Sequence, residues 1–443
     1  MKNPKIKVRI PKAIYEQAFR DLLRPHEFAF ERIGFFCSKS KRLKNETILI
    51  TITKYLIIDD KNYIEDGSVG ARINSAAIRS AMQSALDSSS GIFHVHMHDH
   101  TGKPGLSYTD RKEIPDVIDS FYNVVPNQAH GLIILSQNSA IAEVKLHEKR
   151  HRIIPESISI VGYPMKSIFL FPIKHVKSNL YDRQSFLGPD SQMFFENVKV
   201  GIVGFGGGGS HVGQQLAHIG IKNVTVFDDD KIEHTNMNRL IGGWFSDIKN
   251  KMLKTSIAKR LFKKILPSSN IKCINDKWQN KPEDLQECDF IVGGVDTFIG
   301  REQLEAECRR YLIPYLDIGM DVYQILEEAP SIHGQVILSM PGMPCMKCIG
   351  FLTDEKLKKE AAKYGDVGGH PQVVWSNGVL ASTAVGILID LITGWTKQKD
   401  RLIYLSYDGN SGSVQDHVRI GFVEKTCVHY NLGNTGEPQF ISL

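Results

Sequence analysis

Residues 198–220 read VKVGIVGFGGGGSHVGQQLAHIG, and this stretch decides the fold of the longer part of the chain. A short apolar segment leads into a run of glycines beginning at Gly204, and a segment with helical spacing of apolar residues follows. Glycines let the backbone approach a phosphate chain, and the N terminus of the next helix presents N–H groups to it. The spacing of Gly204, Gly206 and Gly209 therefore predicts a nucleotide site, without separating dinucleotides from other nucleotides.

Strands and helices continue to alternate after this unit. The segments NVTVFDDD (223–230), CDFIVGGVD (288–296) and IPYLDIG (313–319) predict further strands, with helical stretches between them. Repetition of this kind predicts a Rossmann-like, doubly wound parallel sheet. The late segment 378–395 is apolar, but it is rich in small residues and contains Asp390. This pattern favours a buried helix over a membrane span.

The first part of the chain also mixes short strands and helices. The segments KAIYEQAFRDLL (12–23) and SAAIRSAMQSALDSSS (75–90) have the apolar spacing of helices. In the second of these, Ile78, Met82 and Leu86 share one face of the helix. The whole chain is therefore expected to be of the α/β class.

Length and composition bound the remaining possibilities. At roughly 100–200 residues per domain, 443 residues suggest two to four domains. We divide the chain into a first domain at 1–163, a linker at 164–180 and a second domain at 181–443. The net charge of +5 is mild, and no Lys/Arg block with interleaved aromatic residues predicts a nucleic-acid partner. Seven scattered cysteines and an N terminus without an apolar segment predict a cytoplasmic protein with no membrane partner.

Charged residues beyond the glycine loop indicate which nucleotide binds. Asp228 ends the next strand, where a carboxylate can accept hydrogen bonds from the ribose. Asn236, Arg239 and Lys254 follow, and cations here suit the cleavage of ATP between its α- and β-phosphates, because charge develops on pyrophosphate. Asp296 ends a later strand and is placed to hold Mg²⁺. Together these residues favour ATP with Mg²⁺ over NAD.

In this order the motifs resemble the ThiF/MoeB/HesA family, the adenylating domain shared with ubiquitin-activating enzymes. The segment YDRQSFLG (181–188), with Arg183, is similar to the family's Arg-Gln entry motif, and PCMKC (344–348) to half of its zinc clip. The resemblance begins near residue 180 and reaches the end of the chain. The positions that it implies for the nucleotide site are Gly204, Gly206, Gly207, Gly209, Asp228, Asn236, Arg239, Lys254 and Asp296, with Arg301.

By this resemblance, the reaction is adenylation of the C-terminal glycine carboxylate of a ubiquitin-like or sulfur-carrier protein. Asp228 would hold the ribose and Asp296 the Mg²⁺ ion. Arg239, Lys254 and an Arg183 from the other subunit would neutralise the triphosphate. The resemblance thus also implies a homodimer.

The chain departs from the family pattern at three places. The run SDIKNKMLK (246–254) is longer than the family's usual spacing, so Lys251 is an alternative to Lys254. Only one Cys-x-x-Cys is present, and a zinc site would combine Cys345 and Cys348 with Cys427 and His429 near the C terminus.

The third departure concerns the thioester cysteine. Residues 349–372 contain no cysteine, whereas thioester-forming relatives carry their nucleophile in this region. The chain is therefore expected to stop at the acyl-adenylate or to pass the acyl group to a cysteine of another protein. Cys288 and Cys308 are expected to be buried structural thiols.

A second motif lies in the first domain, where residues 91–110 read GIFHVHMHDHTGKPGLSYTD. His94, His96, His98 and His100 occupy alternate positions, so a strand would project them to the same side. Two imidazoles and the carboxylate of Asp110 form a complete catalytic zinc set with one position left for water.

This pattern resembles the JAMM (JAB/MPN) metalloprotease motif, and Glu31 in ERIG (31–34) supplies its upstream glutamate. The resemblance covers roughly residues 10–150 and implies a cytidine-deaminase-like α/β domain. His96, His98 and Asp110 would bind zinc, Glu31 would activate its water, and Ser107 would stabilise the oxyanion. The spacing to Ser107 differs from the family's, which leaves His98 and His100 as the alternative pair, and His94 is expected to be structural.

The two motifs together favour a bifunctional enzyme of a prokaryotic ubiquitin-like system, in which a peptidase exposes or removes the modifier and an adenylating domain activates it. A conjugating enzyme would be a further partner, and antiviral defence a plausible setting. One alternative is activation of a sulfur carrier for cofactor or siderophore biosynthesis. Another is an adenylating enzyme whose first domain is an inactive docking module.

Overall fold

A computed structural model of the chain describes residues 3–25, 27, 29–147, 151–171, 179–324, 329–362, 371–424 and 426–430. These residues form two compact units. The first contains residues 3–161 and 166–171, and the second contains residues 162–165 and 179–430. Each unit is built on its own eight-stranded sheet.

The first unit has a mixed sheet with the strand order β6-β5-β4-β2-β3-β1-β7-β8. Its strands are β1 (Ile6–Pro11), β2 (Ile33–Arg42), β3 (Ile48–Ile57), β4 (Gly91–Met97), β5 (His130–Leu135), β6 (Ala140–Lys145), β7 (Ser157–Val161) and β8 (Lys166–Phe169). Its helices are α1 (Lys12–Leu22), α2 (Ser75–Ser88) and α3 (Tyr108–Val124), with a 3₁₀ turn at Asp60–Asn62.

The alternation of side chains along β4 places its histidines on one face. Phe93, Val95 and Met97 belong to the core that includes α1. Ile92 belongs to the core formed with α2 and α3, and the ring of His94 packs edge-on against Phe35 of that same core. Because the strand period is two residues, the histidines of β4 face the side of the sheet that α3 covers.

The second unit has the strand order β11-β10-β9-β12-β13-β14-β15-β16. Its strands are β9 (Lys199–Val203), β10 (Asn223–Phe227), β11 (Asn270–Ile274), β12 (Phe290–Gly293), β13 (Tyr315–Tyr323), β14 (Ser331–Ser339), β15 (Ile403–Asp408) and β16 (Ser413–Asp416). Its α-helices are α4 (Ser191–Asn197), α5 (Gly207–Ile219), α6 (Phe245–Lys249), α7 (Lys254–Ile265), α8 (Pro282–Gln286), α9 (Phe298–Arg310), α10 (Asp354–Ala362) and α11 (Val374–Thr393). Short 3₁₀ helices lie at Asn179–Leu187, His234–Asn236, Trp278–Asn280 and Val418–Phe422.

The predicted parallel, Rossmann-like arrangement is confirmed for β9 to β13, which pair in parallel. Strands β14, β15 and β16 extend the sheet in antiparallel fashion, so the sheet is mixed rather than wholly parallel. Helix α11 is the predicted apolar helix and packs on α5 and β13. Its length and composition would suffice to cross a membrane, but 67% of its most apolar window is buried inside the second unit.

Two expectations differ in detail from the structure. The segment predicted as a linker, 164–180, contributes β8 to the first sheet, and residues 172–178 lie outside the described residues. In α2 the buried line is Ala77, Ala81 and Ala85, whereas Leu86 is 52% exposed. Small residues bury this face because they let the helix backbone approach the sheet closely.

Candidate functional site

One cavity of the second unit, about 800 Å³ in volume, lies where the loops following β9, β10, β11 and β12 meet the carboxyl half of β13. Since these strands are parallel neighbours, their carboxyl ends meet at the same edge of the sheet. The sequence-predicted residues that line the cavity are Gly204, Gly206, Gly207, Gly209, Asp228, Asn236, Arg239, Lys254, Asp296 and Arg301. The fold thus brings residues from distant parts of the sequence into one place.

The glycine loop leaves no room for side chains at two of its positions. Gly204 has a φ of +84°, which lies in the left-handed region. A Cβ on Gly209 would lie 1.9 Å from the carbonyl oxygen of Gly204, because the first turn of α5 packs directly on the loop. No side chain of the described residues caps α5, so its first N–H groups can serve a ligand.

Asp228 connects the glycine loop to the end of β10. Its Oδ2 accepts a hydrogen bond from the Phe205 amide at 2.6 Å, and its Oδ1 accepts one from the Asp230 amide at 3.0 Å. Burial raises the pKa of this carboxyl, and the nearby Lys254 ammonium opposes the shift. The carboxylate is therefore fixed in position at the cavity wall.

The structure distinguishes the two candidate lysines. Lys254 opens α7, is 9% exposed, and its Nζ donates to Oδ2 of Asp230 at 2.7 Å. Lys251 is exposed, has a φ of +48°, and is not among the described residues that line the cavity. Arg239 lines the cavity and donates to Oδ1 of Asn238 at 3.0 Å.

Asp296 follows β12 and immediately precedes Thr297, whose Oγ1 accepts the Gly300 amide and so begins α9. Arg301 on this helix is buried, and its Nε donates to Oδ1 of Asp317 at 3.1 Å. The fully buried Asp317 also accepts from the hydroxyl of Tyr315 at 2.7 Å. The pairing fixes the guanidinium of Arg301 beside the cavity.

Other parts of the cavity were not predicted from the sequence. Asp321 on β13 and Glu360 on α10 line it, and neither belongs to a motif with recognisable spacing. The carboxylate of Glu360 accepts the amides of Phe298 at 2.9 Å and Ile299 at 2.8 Å. Arg183 lies on an exposed 3₁₀ helix and is absent from the described lining of this cavity.

The residues predicted to form a zinc site also come together in the second unit. They are Cys345, Cys348, Cys427 and His429, and we call them the clip. Sγ of Cys345 lies 3.6 Å from Sγ of Cys348 and 3.4 Å from Nδ1 of His429. Sγ of Cys427 lies 3.9 Å from Sγ of Cys348, and one ligand atom from each residue falls within 4.8 Å of the others. The hydrogen bond between the two thiols lowers the pKa of Cys427 and raises that of Cys345, so this pair shares one proton. Three thiols and an imidazole fit a tetrahedral zinc site.

In the first unit, Glu31, His96 and His98 form a second group with metal-ligand spacing. Nε2 of His98 lies 3.6 Å from Oε1 of Glu31, and Nε2 of His96 lies 3.6 Å from Oδ1 of Asp110. Ser107 caps α3 by accepting the Asp110 amide at 3.0 Å, and Oδ2 of Asp110 accepts the Ser107 amide at 2.8 Å. This capping box aims the Asp110 carboxylate at the end of β4.

The buried state of His96 fits a metal ligand. Both of its ring nitrogens are buried without a hydrogen-bond partner among the described residues. Burial lowers the pKa of His96 to about 4, which keeps the imidazole in the neutral form that coordinates metal. Nδ1 of His100, by contrast, lies 2.8 Å from the carbonyl oxygen of Thr101 on the exposed surface, outside the group.

Burial and the nearby Asp110 carboxylate raise the pKa of Glu31 to about 7. A carboxyl in this range can both accept and return a proton near neutral pH. Glu31 is held by its backbone, since its amide donates to the carbonyl oxygen of Gly70 at 3.0 Å. The geometry therefore groups Glu31 with His96 and His98, whereas Asp110, predicted as the third ligand, lies 3.6 Å from His96 but outside this group, as does His100.

Several known proteins are similar to part of this chain. The molybdopterin-synthase adenylyltransferase of Haemophilus influenzae is 29% identical over 152 residues, which is 33% of this chain and 62% of that protein. The tRNA threonylcarbamoyladenosine dehydratase of the same organism is 31% identical over 134 residues, or 30% and 51% of the two chains. Ubiquitin-like modifier-activating enzyme 5 of Rattus norvegicus is 30% identical over 182 residues, or 36% and 43%.

The chain thus spans less than two thirds of the length of each of these relatives. A match to the ThiF family covers residues 180–427, which is more than half of the 443 residues. This range contains the glycine loop, the cavity and all three clip cysteines. The chain therefore belongs to the ThiF family.

Proposed function

We propose that the second unit transfers AMP from ATP to the C-terminal carboxylate of a ubiquitin-like or sulfur-carrier protein. The observation that carries this proposal is the single cavity that combines the glycine loop with Asp228, Arg239, Lys254 and Asp296. A dehydrogenase would have no use for two cations at this edge of the sheet. Adenylation does, because negative charge develops on the departing pyrophosphate.

Each residue has a distinct part in this reaction. Asp228 accepts hydrogen bonds from the ribose, and the first amides of α5 receive the phosphates. Lys254 and Arg239 stabilise the pyrophosphate, and Asp296 would hold Mg²⁺, which neutralises phosphate charge when bound. The carboxylate of the carrier attacks the α-phosphorus, and the products are the acyl-adenylate and pyrophosphate.

The relatives support this reaction class and leave the acceptor open. One is named as a molybdopterin-synthase adenylyltransferase and another as a ubiquitin-like modifier-activating enzyme, while a third is named as a tRNA threonylcarbamoyladenosine dehydratase. The absence of cysteine from residues 349–372 favours release of the acyl-adenylate to another acceptor over an internal thioester. Activation of a sulfur carrier is therefore the alternative to protein modification.

The test is the exchange of radioactive pyrophosphate into ATP in the presence of Mg²⁺ and a synthetic peptide that ends in Gly-Gly. Lys254→Ala is expected to lower the exchange rate by about 10²–10³, since it removes a charge aimed at the leaving group. Lys251→Ala is the matched control and should retain the rate, because this side chain lies outside the cavity lining. Equal rates in the two variants would refute the role of Lys254.

We propose, as a second activity, that the first unit is a zinc-dependent peptidase acting on the C-terminal segment of the same carrier. The group of Glu31, His96 and His98, with Asp110 3.6 Å from His96, carries this proposal. Zinc held by the two histidines and Asp110 would supply a polarised water. Glu31 would accept a proton there as general base, and Ser107, whose Oγ already accepts an amide, could donate its own proton to the oxyanion.

Metal content tests both metal groups without knowledge of the carrier. We expect about two zinc ions per chain by mass spectrometry, one lost in His98→Ala and the other in Cys345→Ser. His100→Ala is the control and should keep both, because His100 lies outside the group. Loss of zinc in His100→Ala but not in His96→Ala would show that the ligands are His98 and His100 instead of His96 and His98. A single zinc insensitive to the histidine variants would favour an inactive docking module.

The clip also bears on the proposed compartment. Its three cysteines must remain thiols or thiolates to bind zinc, and such groups persist under reducing conditions. This requirement supports the cytoplasm as the place where the protein works.

A further inference from the structure

The clip combines two segments that are far apart in the chain. Cys345 and Cys348 follow β14, whereas Cys427 and His429 come after β16 and the 3₁₀ helix Val418–Phe422, so that 79 positions separate Cys348 from Cys427. Both segments lie outside the helices and strands. Ligands on loops keep a metal-binding geometry only when other contacts hold them in place. The buried contacts around the clip show which residue does this.

The side chain of Arg309, near the end of α9, holds the first segment by its backbone. This arginine is buried, and its Nη1 and Nη2 donate to the carbonyl oxygens of Met343 at 2.8 Å and Pro344 at 2.9 Å. These two residues directly precede Cys345. Nε of Arg309 donates to Oγ of Ser339, the last residue of β14, at 2.8 Å. The planar guanidinium has donors in a fixed arrangement, so it fixes this turn as a lysine could not.

The same guanidinium contacts the second segment. Its Cζ lies 5.2 Å from the centre of the Tyr430 ring, within the range of a cation–π contact. Tyr430 directly follows His429, so the ring and the ligand belong to one short piece of chain. Arg309 therefore contacts both segments that supply the ligands of the clip.

Glu305, one helical turn before Arg309, completes this arrangement. It is fully buried, and its Oε1 accepts the Met346 amide at 2.9 Å and the Ser339 hydroxyl at 2.5 Å. The same oxygen lies 3.3 Å from Nε of Arg309. The backbone is thus held on both sides of Cys345. Because a buried ion pair is in general weak evidence for stability, the specific effect of this pair is on the geometry of the turn.

We propose that Arg309, held by Glu305, is the positioning residue of the clip, which orders its two segments so that they retain a zinc ion. The inference rests on the second zinc ion proposed above and is independent of the adenylation. Arg309 acts through Cys345 and His429 and does not itself bind the metal. Groups that hold metal ligands in place typically change metal affinity by about 10- to 100-fold when they are removed.

The first measurement is the rate at which the full chain releases zinc to a chromogenic chelator. The phase of release that is missing in Cys345→Ser belongs to the clip. Arg309→Met is expected to accelerate this phase at least about tenfold. Arg309→Lys, which keeps the charge but not the planar group, should accelerate it as well, so the test does not depend on one variant. Arg310→Met is the matched control and should keep the wild-type rate, since Arg310 pairs with Glu307 on the same helix at 3.8 Å.

The second measurement separates positioning from a general loss of stability. Metal that binds the folded chain raises its Tm by an amount that depends on affinity and metal concentration. At a fixed low concentration of zinc, this rise should be smaller in Arg309→Met and Arg309→Lys than in the wild type and Arg310→Met. A merely structural role would lower the Tm equally with and without zinc and leave the rise unchanged.

An unchanged rate of release in both Arg309 variants, an equal acceleration in Arg310→Met, or an unchanged rise in Tm would overturn the role of Arg309 and leave the metal site standing. A wild-type chain that holds no zinc dependent on Cys345 would overturn the metal site and this inference together. Pyrophosphate exchange reports on the adenylation separately, so its failure is distinguishable from both results.

Discussion

At the scale of single residues, the backbone of the glycine loop packs so closely at Gly209 that only a residue without a side chain fits there. The Cα of Gly209 approaches the carbonyl of Gly204 so closely that an added Cβ would lie 1.9 Å from its oxygen. The atom that it would meet belongs to the backbone and cannot rotate away. Gly206, in the same loop, has no atom within 4 Å of such a Cβ.

This difference gives a stability prediction. Gly209→Ala is expected to lower the free energy of unfolding by about 1–3 kcal/mol, because the loop and α5 must separate to admit the methyl group. Gly206→Ala should change it by less than about 0.5 kcal/mol, as is usual for a substitution into open space. Urea denaturation followed by circular dichroism measures both. Similar values for the two variants would show that the loop can relax around Gly209.

The residue scale also shows where spacing alone leaves alternatives open. The sequence left His96 with His98, or His98 with His100, as metal ligands, because alternation continues past the end of the strand. In the structure β4 ends at Met97, and the chain beyond it no longer projects side chains with a period of two. His98 remains within reach of Glu31, whereas His100 turns towards the surface. The end of a strand depends on pairing with its neighbours, which a local pattern does not contain.

At the scale of elements, periodicity predicted helices more reliably than it predicted which face they bury. The spacing in residues 75–90 identified α2, and its predicted face included Leu86. Ile78 and Met82 do pack, partly buried, against this core, but Leu86 is exposed and the fully buried line is Ala77, Ala81 and Ala85. Both lines have helical spacing, so the choice between them is made by how closely the helix approaches the sheet, and small residues allow the closer approach.

In the second sheet, individual strands were likewise predicted from local sequence, whereas part of their pairing was not. Strands β9, β10, β12 and β13 were recognised because buried parallel strands read as continuous apolar runs followed by glycine or aspartate. The antiparallel extension through β14, β15 and β16 was not predicted, since strand pairing is a long-range property. Glu360 was missed for the same reason, because it reaches the amides at the start of α9 from 62 positions away.

At the scale of the whole molecule, Arg183 is the residue predicted for adenylation that the described lining of the cavity does not contain. It lies on the exposed helix Asn179–Leu187 and is not part of the described cavity lining. The other predicted cations, Arg239, Lys254 and Arg301, all line the cavity of their own chain. That Arg183 acts in the cavity of a second copy therefore stays a prediction, drawn from the resemblance to the adenylating family.

Mixing two inactive variants tests this proposal. If Arg183 acts in trans, co-expressed Arg183→Ala and Lys254→Ala chains form mixed dimers. One of the two sites in such a dimer then contains both the lysine and the arginine. Random pairing in a two-fold symmetric dimer then restores about a quarter of the wild-type pyrophosphate-exchange rate. If Arg183 acts within its own chain, every site lacks one of the two cations and the rate stays at the level of the single variants. Co-expressing two differently tagged Arg183→Ala chains sets that baseline, and a rate no higher than this in the mixture would refute action in trans.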